Sequence, residues 1–145
     1  VSSASSSVTI TEAEGTVTLG VTQISTTRAF ATADGTFGNG WQWVFDVTVP
    51  SSESSLSMKF SDLISGSNSV PAANNIHFYS VQSDHTSASP ILISAADAYT
   101  GPMTLTGADL DSSLAGKQIQ ITVEVSVPIG TPGGSYSGSY GVKTE

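Results

Sequence analysis

Trp41-Gln42-Trp43-Val44-Phe45-Asp46-Val47-Thr48-Val49 and Ile119-Gln120-Ile121-Thr122-Val123-Glu124-Val125-Ser126-Val127 decide the fold class. In the first, apolar Trp41, Trp43, Phe45, Val47 and Val49 alternate with Gln42, Val44, Asp46 and Thr48, and Pro50 ends the run. In the second, Ile119, Ile121, Val123, Val125 and Val127 alternate with polar residues, and Pro128 ends it. A period of two over nine residues gives one apolar and one wet face, the signature of an antiparallel strand with one side on a core. Both runs read as central strands, of opposing sheets.

Working outward, weaker strands are expected at Thr16–Ile24, Leu56–Phe60, Ile76–Val81, Pro90–Ser94, Met103–Leu105 and Ser135–Val142. Turn residues separate them at Asp34-Gly35, Gly38-Asn39-Gly40, Ser65-Gly66-Ser67-Asn68, Thr100-Gly101-Pro102 and Gly130-Thr131-Pro132-Gly133-Gly134. One helical turn is allowed at Asp111–Gly116. The pattern predicts an all-β protein: an antiparallel Ig-like or jelly-roll β-sandwich of about seven to nine strands.

Composition agrees. Of 145 residues only 11% are charged, and Ser with Thr supply about 30%. Such a surface suits strands better than helices. The net charge is −8, with Arg28, Lys59, Lys117 and Lys143 the only cations, too few to neutralise a phosphate track. Nucleic acid and anionic membrane surfaces are therefore poor partners, and no apolar run approaches the length of a membrane span. The chain has no cysteine, which removes disulfides, thiolate metal sites and a Cys nucleophile. Its start at Val1-Ser2-Ser3-Ala4 reads as the end left by signal-peptide removal, or as a trimmed chain, and points to a secreted, cell-surface protein.

The domain plan is an N-terminal arm over residues 1–11 and a single sandwich domain over residues 12–145. Val1–Ser7 is nearly all Ser and small residues, the composition of a flexible lead. It runs into Val8-Thr9-Ile10-Thr11, a short alternating stretch able to pair as a strand. Two readings stay open: an ordinary first edge strand with a frayed end, or a strand given to a neighbour.

Val127-Pro128, then Gly130-Thr131, then Gly134 and Tyr136 after a strongly alternating strand, resembles the Ig-like domains of secreted prokaryotic surface proteins. There Tyr136 would form a tyrosine corner, its hydroxyl bonding back to nearby backbone. The cysteines and tryptophan spacing of antibody domains are missing. As a whole, a Cys-free Ser/Thr-rich sandwich with a β-competent arm resembles subunits of donor-strand-exchanged pili and extracellular filaments. That resemblance implies a homopolymer in which Val8 and Ile10 insert into the next copy by β-augmentation. The alternative is a non-catalytic adhesion or carbohydrate-binding module, with glycan as partner.

Catalytic chemistry finds little support. The only histidines, His77 and His85, sit on an expected wet strand face and in a polar loop, and no Gly-x-Ser-x-Gly elbow occurs. Asp46 and Glu124 fall on outer strand faces, where solubility explains them. No enzyme is expected. Calcium is the one cofactor that the oxygens suggest, through Asp109 with Asp111 or Asp34 with Asn39. The first pair departs from the EF-hand pattern, with Leu114 where Gly is required and Gln120 where the bidentate Glu belongs.

Overall fold

The computed structural model describes residues 3–10, 20–107 and 116–145, with side chains from residue 21 onward. The expected helical turn at residues 111–116 and the stretch 16–19 of an expected strand fall almost wholly outside them. Among the described residues there is no helix and there are twelve strands. They are β1 (Ser3–Ile10), β2 (Gly20–Arg28), β3 (Phe30–Thr32), β4 (Trp41–Val49), β5 (Ser55–Phe60) and β6 (Leu63–Ser65). Then follow β7 (Asn68–Val70), β8 (Ile76–Tyr79), β9 (Ile91–Leu92), β10 (Thr100–Thr104), β11 (Lys117–Val125) and β12 (Ser135–Thr144). The excess over the expected number comes from β3, β6 and β7, of three residues each, too short to carry a readable period, while β9 falls within the strand expected at Pro90–Ser94.

Two sheets pack as a sandwich. One has the order β10-β5-β12-β1-β3, with the β6–β7 hairpin attached to β12; the other has the order β2-β4-β11-β8-β9. The strongly alternating runs are β4 and β11. They are not in opposing sheets, as their sequences suggested, but direct neighbours, paired antiparallel from Lys117↔Val49 to Val125↔Trp41. Period two reports which face a residue occupies and says nothing of which strand lies beside it. The first sheet is also mixed, because β1 runs parallel to β12.

The core forms as the alternation requires. Trp41, Trp43, Phe45, Val47 and Val49 from β4 and Ile119, Ile121, Val123 and Val125 from β11 are all buried. Leu56, Met58, Tyr136, Tyr140 and Val142 come to meet them from the other sheet. Phe45 meets Tyr140 edge to face at 4.7 Å, and Trp41 packs against Tyr136 at 5.5 Å. Both distances suit favourable aromatic pairs.

Tyr136 makes the expected corner: its hydroxyl donates to the Pro132 carbonyl at 2.6 Å. Removing that hydroxyl in Tyr136→Phe keeps the ring in the core and loses one hydrogen bond. A cost of about 1 kcal/mol is expected, a fall in Tm of about 2–4 °C for a chain near this size, measurable by calorimetry.

Tyr140 is the opposite case. Its hydroxyl is buried and has no hydrogen-bond partner among the described residues. Burial pushes its pKa up to about 12 from 10.0. An unfolded tyrosine ionises near 10, so its contribution is intact below that pH and falls as pH rises through 10 towards 12. Tyr140→Phe should therefore be as stable as the parent or about 1 kcal/mol more stable at neutral pH. It should also resist alkaline unfolding better, as read by circular dichroism. A loss of stability on making this change would contradict the orphan hydroxyl.

Candidate functional site

The seat of the first strand, β1, is the candidate site. β1 lies inside the first sheet, with β12 on one side and β3 on the other. Its parallel register with β12 runs from Ser5↔Ser135 through Val8↔Gly138 to Ile10↔Tyr140. On the far side Ser3, Ala4 and Ser5 pair antiparallel with Thr32, Ala31 and Phe30. The Ser-rich stretch expected as a flexible lead thus carries strand pairing from Ser3 onward. Serine has little strand preference of its own; here backbone bonds from two neighbouring strands hold it.

β12 is made narrow where β1 meets it. A Cβ on Gly138, the residue opposite Val8, would come within 2.6 Å of Leu63 Cδ2 and 2.9 Å of Ser61 Oγ. Ser61 also bonds β12 directly, its N–H donating to the Ser139 carbonyl at 2.9 Å and its Oγ accepting from the Ser139 N–H at 2.8 Å. An open hollow of about 490 Å³ lies over this stretch, lined by Ser61, Asp62, Ile64, Asp97 and Ser137 to Ser139. The strand that receives β1 is therefore held independently by the Ser61–Leu63 segment.

The proposed cation ligands fare unevenly. Asp109 and Asp111 lie outside the described residues. Asp34 and Asn39 do come together, but as a turn clasp. The Asp34 carboxylate accepts the Thr36 hydroxyl at 2.7 Å, the Thr36 N–H at 3.0 Å and the Asn39 amide at 2.7 Å. The Thr36 hydroxyl, then the Asn39 amide, hold its pKa below the usual carboxylate value. Asn39 thus offers an N–H to Asp34, and the two do not converge as oxygen ligands. Among the described residues, no three His, Asp or Glu side chains gather as a metal site would need.

A polar cluster on the outer face of the second sheet escaped the sequence. Glu124, expected simply to solubilise that face, accepts from Gln42 Nε2 at 2.8 Å, bonds His77 Nε2 at 2.7 Å and pairs with Arg28 at 3.5 Å. Arg28 further donates to the carbonyls of Gly40 and Phe37. The Phe37 ring stacks on His77 at 3.8 Å, 13° from parallel. Together these groups latch the β3–β4 loop onto the sheet. His77 spends Nε2 on Glu124 and a ring face on Phe37, an arrangement that fixes a loop. The signal was invisible because the partners come from three separate stretches of the chain, residues 28–42, His77 and Glu124.

Compared with known protein families and with curated proteins, the chain matches none.

Proposed function

We propose that the chain is a structural subunit of an extracellular filament, pilus or surface layer, assembled by passing its N-terminal strand to a neighbouring copy. The observation that carries this reading is the seat of β1: the first strand in chain order lies in the interior of a sheet, bonded on both edges to elements far away in sequence. Such a strand is held by its pairing with β12 and β3. Its departure would expose the backbone groups of Ser135 to Tyr140, a slot that only a strand in this register fills.

An identical strand from another copy restores every bond, so exchange costs little beyond association, as in domain swapping. Pairing is then by β-augmentation, with backbone bonds giving affinity and the alternate residues Val8 and Ile10 giving register. A closed swap yields dimers, while head-to-tail donation yields a filament. A Cys-free, secreted chain fits such a role in an extracellular matrix.

Negative-stain electron microscopy of the intact chain, and of a chain lacking residues 1–11, tests it. Fibres or sheets from the intact chain, and dispersed, largely folded particles from the shortened one, are expected. Polymers that persist after the deletion would defeat the reading.

A further inference from the structure

The outer face of the second sheet has an order that strand donation does not use. Cross-strand register sets its residues in rows. One row runs Tyr79, Thr122, Val44, Ser25 across β8, β11, β4 and β2. On one side it is flanked by the latch residues His77, Glu124, Gln42 and Arg28. On the other lie Gln120, Asp46 and Gln23. Thr122, Val44 and Ser25 are short, and the side chains of both flanking rows are longer. The face is therefore a shallow trough crossing the strands, with an aromatic ring at one end. Tyr79 stands edge-on to His77 at 6.1 Å, 70° from parallel.

All five glutamines of the chain serve this face. Gln23 and Gln120 are exposed on it, and Gln42 and Gln118 are half-buried in it. Gln82 supports it from the sheet margin: its amide accepts from the Gln120 N–H at 2.9 Å and donates to the Gln118 carbonyl at 3.1 Å. The side chain there replaces the backbone of β8, which has ended at Tyr79. Val81, 79% exposed, stands between Ser80 and Gln82, both bonded to Gln120 backbone.

We propose that this trough binds a neutral glycan chain laid across the strands. A sugar ring presents an apolar C–H face and a rim of hydroxyls, and each hydroxyl both donates and accepts. The amides of Gln42, Gln82 and Gln118 are engaged within the protein, while those of the exposed Gln23 and Gln120 offer a donor group and an acceptor to that rim. The Tyr79 ring, with Val81 beyond it, offers the apolar surface. Charge selects against the other occupants. Arg28 and His77 are already paired with Glu124, which leaves Asp46 as the other carboxylate of these rows among the described residues, against polyanions and against another copy of a chain with net charge −8. A protein partner would want a large buried apolar or aromatic anchor at the centre of its patch, where this face has nothing larger than Val44 between Thr122 and Ser25.

Affinity electrophoresis through gels holding a soluble β-glucan, a mannan or a xylan, with heparin and polygalacturonate as polyanions, tests the assignment. At least one neutral polymer should retard the chain, and Tyr79→Ala and Gln120→Ala should each weaken binding about tenfold. Tyr79→Phe should keep most of it, and Lys143→Ala, on the other sheet, should change nothing. Gln120 is exposed, so its variant reads binding even if Tyr79→Ala misfolds. Retardation by polyanions alone, by no neutral polymer, or equally for the parent and the Gln120→Ala variant overturns the assignment.

Discussion

Gly40→Ala should cripple the fold although it adds one methyl group. Gly40 precedes β4 where that strand faces the end of β11, and an added Cβ would lie 1.5 Å from the Val125 carbonyl oxygen. Backbone cannot swing aside as a side chain can, so the two central strands of the second sheet would have to part. The same movement would disturb the Arg28 bond to the Gly40 carbonyl, and with it the latch of the β3–β4 loop. A cost of about 3 kcal/mol or more is expected, a large share of the roughly 5–15 kcal/mol that a domain has. Gly38→Ala is the matched control, since nothing lies within 4 Å of its Cβ position; it should fall within about 0.5 kcal/mol of the parent. Urea unfolding of the three chains decides it: equal midpoints would refute the close approach.

Phe45→Ala should be nearly as damaging for a different reason. Phe45 is fully buried on β4 and reaches Tyr140 on β12, so its ring joins the two sheets. Truncation removes its transfer free energy and leaves a cavity that rigid neighbours cannot close. Deletions of this kind cost about 3–5 kcal/mol, a Tm lower by about 6–20 °C at this chain length. Tyr140 is also the register partner of Ile10, so the cavity opens beside the seat of β1. Under the proposed strand donation, the variant should therefore lose assembly together with stability. Phe45→Leu, which refills much of the space, should recover most of both.

What the sequence disclosed follows from the range of each interaction. The Trp41–Val49 and Ile119–Val127 alternations gave strands and buried faces because period two is a local property. Tyr136 was legible for the same reason, its partner Pro132 lying four residues away. The adjacency of β4 and β11 was hidden, since alternation is blind to neighbours. Glu124 looked like a solvated carboxylate, because its partners His77 and Gln42 lie 47 and 82 residues away. Asp34 and Asn39 are near each other in sequence, and their meeting was readable, but not that the amide would point its N–H at the carboxylate. The strand at Ser3–Ser7 ran against serine's own preference and was supplied by β12 and β3. Val8 and Ile10 were singled out for alternation, and the fold seats their backbone opposite Gly138 and Tyr140.

Strand donation is tested most directly by asking which copy supplies the β1 beside a given β12. The chain has no cysteine, so engineered thiols report without background. Ser7 and Ser137 are register partners on adjacent strands, and strands about 4.8 Å apart lie within disulfide reach. An isotope-labelled Ser7→Cys chain and an unlabelled Ser137→Cys chain would be unfolded together, refolded, assembled and oxidised, and the products weighed by mass spectrometry. Donation predicts abundant heterodimers joining position 7 of one copy to position 137 of the other, and a ladder of covalent polymers when both thiols are on one chain. Absence of that heterodimer, with the doubly substituted chain closing only on itself, would contradict it.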